Sequence, residues 1–168
     1  MFKETSKELL DFLSKSPTAF HAVENYRQIL NADGFKELLE SEHWDIVPGG
    51  KYYVTRNNTS ILAFKVGTKL ENYSFNIVTS HTDSPTFKVK ENAEIEVKNK
   101  YTQLNTEGYG GMLCATWLDR PLSIAGRVLV SEGNSIVTKL LNIDRDLLMI
   151  PNVAIHMNRA ANDGFKYN

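Results

Sequence analysis

In this chain of 168 residues, the chemistry is easiest to see in Ile77-Val78-Thr79-Ser80-His81-Thr82-Asp83-Ser84-Pro85, a hydrophobic run ending in a histidine, with a carboxylate two residues on. A neutral imidazole binds a metal through one ring nitrogen, while the other nitrogen needs an acceptor to fix tautomer and ring direction. A spacing of two in extended backbone puts both side chains on one side, so Asp83 can be that acceptor for His81. Ligands in open α/β sheets also sit at the carboxyl ends of strands. The competing reading is a plain turn, because Asp-Ser-Pro favours turns in any context.

The other three histidines are weaker candidates. His21, beside Phe20 and Val23 in a helical stripe, reads as packed or surface, and His43, next to Trp44 after Glu40-Ser41-Glu42, reads as surface. His156 interrupts the apolar alternation Ala154-Ile155-His156-Met157, where a polar group without a partner is expensive to bury. Read alone, it is a hydrogen-bonded histidine on the wet face of a strand. Tyr109-Gly110-Gly111 lacks the surroundings of a phosphate-cradling loop and reads as a flexible one. Asp119 and Arg120 pair with each other or cap the element that follows, and Lys88 and Lys90 solubilise a wet strand face.

These side chains must be positioned by elements of mixed type. Leu9, Leu10, Phe12 and Leu13 recur at helical spacing and Pro17 follows, which predicts a first helix ending near Lys15. Thr18 is placed to cap a second helix, which stops near Ala32 with Gly34 as its left-handed residue. Strands are expected over Tyr52-Tyr53-Val54 and Ile61 to Val66, joined by a turn at Asn57-Asn58, and again over Phe75 to Ser80. The alternations Phe87 to Lys90 and Glu94 to Lys98 predict strands with one wet face. Gly126 to Val130 and Ile136 to Leu140 form a further hairpin across Glu132-Gly133-Asn134. The fold class expected is α/β.

Composition narrows the function. At 42% hydrophobic and 10% aromatic the chain is a folded domain rather than a disordered segment, and its length predicts a hydrophobic core sufficient without staples or a partner. The 19 basic and 20 acidic residues are interspersed and nearly cancel to −1, which argues against nucleic acid or an anionic membrane as partner. Cys114 has no mate, so neither a disulfide nor a thiolate zinc site forms within the chain, and a reducing compartment fits. The charged start Met1-Phe2-Lys3-Glu4 lacks the apolar core of a signal peptide, and no stretch is long enough to span a bilayer, so a cytoplasmic location is expected.

Several stretches together resemble the aspartyl aminopeptidase (aminopeptidase I) family of dinuclear zinc exopeptidases. They are Phe12 to Val23, Pro48 to Asn57, Val78 to Pro85, Thr116 to Arg120 with Ala125 to Val128, and Ile150 to Arg159, in the family's order. Pro121 departs from the pattern, standing where many relatives are acidic. The resemblance implies part of a zinc-exopeptidase α/β core over residues 1–90, interrupted by part of a β-rich oligomerisation domain over 91–168. It implies that His81 is a zinc ligand, that Asp83 is the catalytic-site carboxylate orienting it, and that His156 reaches into a neighbouring subunit's active site to support the substrate carbonyl.

The activity implied is removal of an amino-terminal, acidic residue from peptides, with two zinc ions that acidify a water. The general-base glutamate and the remaining ligands come, in the family, from segments beyond the one matched by Ile150 to Arg159. The chain is therefore expected to be inactive alone, and to act in a homo-oligomer or with a complementary chain carrying the other ligands. The rival reading is a non-catalytic assembly subunit with a vacant metal site.

Overall fold

The computed structural model describes residues 2–72 and 74–163. The chain forms two compact units: residues 1–83 with 125–142, and residues 84–124 with 143–168.

The first unit opens with helix α1, Phe2–Ser14, and helix α2, Ala19–Ala32. Asn25 Nδ2 donates to the Lys15 carbonyl and to Ser16 Oγ, both at 2.9 Å, fastening the end of α1 to α2, and the Phe12 and Tyr26 rings meet at 4.7 Å. Thr18 is the N-cap of α2. At the other end Gly34 takes φ +80, Gly34 N–H donates to the Asn31 carbonyl and Phe35 N–H to that of Leu30. These two bonds satisfy carbonyls that the helix leaves open, and only a residue without Cβ reaches that φ cheaply.

Strands β1 (Lys36–Glu37), β2 (Lys51–Arg56) and β3 (Ser60–Lys65) make a sheet with β2 in the middle, parallel to β1 and antiparallel to β3. Asn57 and Asn58 both have positive φ, at 51° and 54°, and Thr59 N–H closes the turn on the Arg56 carbonyl. Two central residues in that region match the twist of an antiparallel pair. Tyr52 and Tyr53 are both buried, one on each face of the central strand, and with Ala22 and Val23 of α2 they form the apolar core among the described residues. Tyr53 Oη donates to Asn31 Oδ1 at 3.0 Å, so its polar end is satisfied.

The hairpin of β4 (Ala125–Glu132) and β5 (Ser135–Asn142) joins this first unit although a long stretch of chain separates them. Arg127 holds it there. Its Nη1 donates to both the carbonyl and Oδ1 of Asn57 at 3.1 Å, and its guanidinium lies 4.3 Å from the centre of the Phe20 ring. Such a contact combines charge-assisted hydrogen bonds with cation–π attraction.

In the second unit strand β6 (Thr86–Val97) pairs antiparallel with β7 (Tyr101–Tyr109), with a register irregularity between Val89 and Glu94. The two alternations in the sequence are thus one strand carrying a bulge. Its partner β7 gave no sequence signal, because Thr102-Gln103-Leu104-Asn105-Thr106 offers little apolar alternation. Phe87 packs edge-on to Trp117, at 5.4 Å, in the 3-10 turn Cys114–Trp117. Lys88 does more than solubilise its face: its ammonium lies 3.5 Å over the Tyr109 ring.

Two expectations are corrected. Phe75 to Ser80 is not a strand: Ile77 and Val78 are 77% and 97% exposed, and the run belongs to none of the three sheets. An apolar stretch forms a ladder only beside neighbours, and no described strand lies alongside it. The chain also does not bury a self-sufficient core. It leaves 14118 Å² accessible, where a self-contained monomer of its mass leaves about 8,400 Å².

Candidate functional site

His81 and Asp83 lie just past this unladdered run, in the first unit. Both acceptors of Asp83 converge on one ring nitrogen: His81 Nδ1 is 2.9 Å from the Asp83 carbonyl and 3.1 Å from Asp83 Oδ1. A carbonyl and a carboxylate only accept, so Nδ1 must carry the proton. In the neutral ring Nε2 then holds the lone pair that a metal takes. The His81 side chain is 79% exposed and that of Asp83 43%. The pair expected from spacing is therefore assembled, by a bend at Thr82 rather than by an extended strand.

Thr82 was not singled out by sequence reasoning. It is half-buried, and its hydroxyl donates to the Thr59 carbonyl at 2.7 Å, at the close of the β2–β3 turn. A threonine between two polar residues carries no signal of such a long-range contact.

His156 belongs to the second unit, in the exposed turn 155–157. The wet strand face read from its alternation is corrected: the surrounding residues 151–158 have no strand pairing. Asp119 does not serve Arg120. Its Oδ1 accepts from Asn152 N–H at 2.7 Å, and its backbone N–H donates to the Ile150 carbonyl, which fixes the segment leading to His156 from within the same unit. His43 is on the surface, 3.7 Å from Asp45. His21 is buried, its Nδ1 2.8 Å from Thr18 Oγ1, and burial holds its pKa below the ordinary 6.5.

Among the described residues no group of three or more His, Cys, Asp and Glu side chains gathers that could hold a metal ion. A catalytic zinc takes about three protein ligands. Among the described residues, His81 with Asp83 at its Nδ1 fits a share of a zinc site and not a whole one. Among the described residues, no helix is long and apolar enough to cross a membrane.

Known proteins resemble this chain over most of its length. The "Probable M18 family aminopeptidase 2" of Clostridium novyi (strain NT) is 50% identical over 166 residues, covering 97% of this chain and 38% of that protein. The aspartyl aminopeptidase of Dictyostelium discoideum is 47% identical over 166 residues, 97% of this chain and 34% of its own length. Among solved structures, a chain in the Ape4 and Nbr1 complex superposes with TM-score 0.93 at 42% identity, covering 99% of this chain and 32% of that one. The mApe1 dodecamer of S. cerevisiae gives 0.82 at 32% identity, with 92% and 37% covered. The chain therefore spans less than two fifths of the length of these relatives. The family model for aminopeptidase I zinc metalloproteases (M18) matches residues 12–168, and the chain belongs to that family.

Proposed function

We propose that the chain is the amino-terminal part of a zinc aminopeptidase that removes an amino-terminal, acidic residue from peptides, and that it contributes a share of the active site. The observation that carries this reading is the His81–Asp83 pair, whose two hydrogen bonds at Nδ1 leave Nε2 for a metal. Zinc, once bound, supplies an acidified water and polarises the scissile carbonyl. His81 contributes one ligand, and Asp83 holds the imidazole in the tautomer that ligation needs. His156, on an exposed turn that a neighbouring subunit can approach, donates a hydrogen bond to the carbonyl oxygen as charge builds on it.

The same reading assigns residues 1–90 to the peptidase core and 91–168 to part of the β-rich oligomerisation domain. The compact unit containing residues 1–83 supports the first assignment, with the 125–142 hairpin standing in that unit as well. A dodecameric relative supports homo-oligomerisation. The lone Cys114 fits a cytoplasmic location. The large accessible area and the exposed run at Ile77 and Val78 support a complementary segment that packs against this chain and carries the remaining ligands. A second reading, an assembly subunit without catalysis, is favoured only by the lack of a three-ligand cluster among the described residues.

Zinc per chain, measured by elemental mass spectrometry after dialysis against metal-free buffer, tests the proposal. The purified chain should hold well under one zinc, and a complex with the remaining segment of a relative should hold two. Two zinc ions on the chain alone would overturn the shared-site reading, and none in the complex would leave the assembly-subunit reading standing.

A further inference from the structure

A line of contacts runs from the β4–β5 hairpin to the candidate ligand. Arg127 Nη1 donates to the carbonyl and Oδ1 of Asn57, the first central residue of the β2–β3 turn. Two residues on, the Thr59 carbonyl accepts from Thr82 Oγ1 at 2.7 Å. Thr82 stands between His81 and Asp83, where the chain bends so that both the carbonyl and the carboxylate of Asp83 face one nitrogen of His81.

From this geometry we infer that Thr82 is a positioning residue for His81: its hydroxyl pins the bend to the β2–β3 turn, and Arg127 holds that turn in place from the distant hairpin. The inference rests on the reading of Asp83 as the acceptor that sets the His81 tautomer. Two acceptors on adjacent chain, one backbone and one side chain, meet a single N–H only if the three-residue bend is held. The His81 side chain is 79% exposed and that of Asp83 43%, and a contact so open to water holds two side chains in one geometry only weakly. The Thr82–Thr59 bond is half-buried and ties the bend to a turn whose positive φ values leave it little freedom. The device therefore acts through backbone, and it makes the histidine's tautomer depend on a hairpin far away in sequence.

The test is long-range ¹H–¹⁵N correlation NMR of the histidine rings in the 168-residue chain, in alkaline buffer where imidazole rings are neutral. The His81 signals are assigned by their loss in His81→Gln, and the His21 signals report whether the first unit remains folded. The chain with its natural residues should show His81 as the Nδ1–H tautomer. Thr82→Val, which keeps the shape and removes the hydroxyl, should shift His81 towards the Nε2–H tautomer with His21 unmoved, and Thr82→Ser should restore Nδ1–H. Arg127→Gln, which touches none of residues 81–83, should shift His81 in the same direction by less, and decides the matter if Thr82→Val disturbs His21. Nδ1–H retained in both Thr82→Val and Arg127→Gln would overturn the positioning role while leaving the His81–Asp83 pair intact. An Nε2–H ring in the unaltered chain would overturn the pair itself, and the positioning role with it.

Discussion

The hydroxyl of Thr18 lies 2.8 Å from Nδ1 of His21, and the same oxygen caps α2 by accepting from the His21 backbone N–H at 3.5 Å. Both contacts are met at once if the hydroxyl donates to an unprotonated Nδ1 and accepts from the backbone. Protonating the ring places a second donor against the hydroxyl and a positive charge at the positive end of a helix.

A pH dependence follows from this contact. Burial holds the folded-state pKa of His21 below its ordinary 6.5, so the unfolded chain binds the proton more readily. Stability from this group is complete above the unfolded value and is lost as pH falls through it towards the lower folded value. Urea midpoints should therefore decline between pH 7.5 and 5.5. In His21→Gln the slope over that window should flatten, and an unchanged slope would show that His21 is not the group responsible.

The small core makes single positions count. Val23 is fully buried, and Val23→Ala should cost about 2 kcal/mol by chemical denaturation, from lost apolar burial and the void left behind. Tyr53→Phe removes the donor to Asn31 Oδ1 and should cost about 1 kcal/mol. A change near zero for Val23→Ala would place the core elsewhere.

The exposed run should behave oppositely. Val78 is 97% exposed, so Val78→Asp should leave the unfolding free energy of the chain, from urea titration, within about 0.5 kcal/mol of its original value. It should also weaken association with a complementary segment, read by analytical ultracentrifugation. A large loss of stability in the isolated chain would show that Val78 already packs inside it.

His156 is tested in the complemented assembly. His156→Phe should lower turnover by roughly 10²- to 10³-fold while the zinc content stays constant, as expected for removing one donor to a developing oxyanion. Loss of assembly in place of loss of turnover would return His156 to a structural role.

What could be read from sequence was whatever local chemistry decides. The Pro17 stop, the Thr18 cap, Gly34 and the Asn57-Asn58 turn are all where short-range rules place them, because each is settled within a few residues. The pair His81 and Asp83 was legible for the same reason. Ile77 and Val78 misled because an apolar run announces burial without saying which chain supplies the cover. Thr82 and Asp119 were out of reach, since their partners Thr59 and Asn152 stand 23 and 33 residues away.

The bond from Arg127 to Asn57 spans 70 residues. Closing a flexible loop of that length costs about 4 kcal/mol in chain entropy, against about 2 kcal/mol for a ten-residue loop. On the ribosome the helices and the β1–β3 sheet emerge first, the whole of β6–β7 follows, and only then does the hairpin that completes the first unit arrive. A nascent chain that has not yet reached Arg127 thus carries the β2–β3 turn without its clasp, so His81 and Asp83 are synthesised well before the geometry around them can be locked.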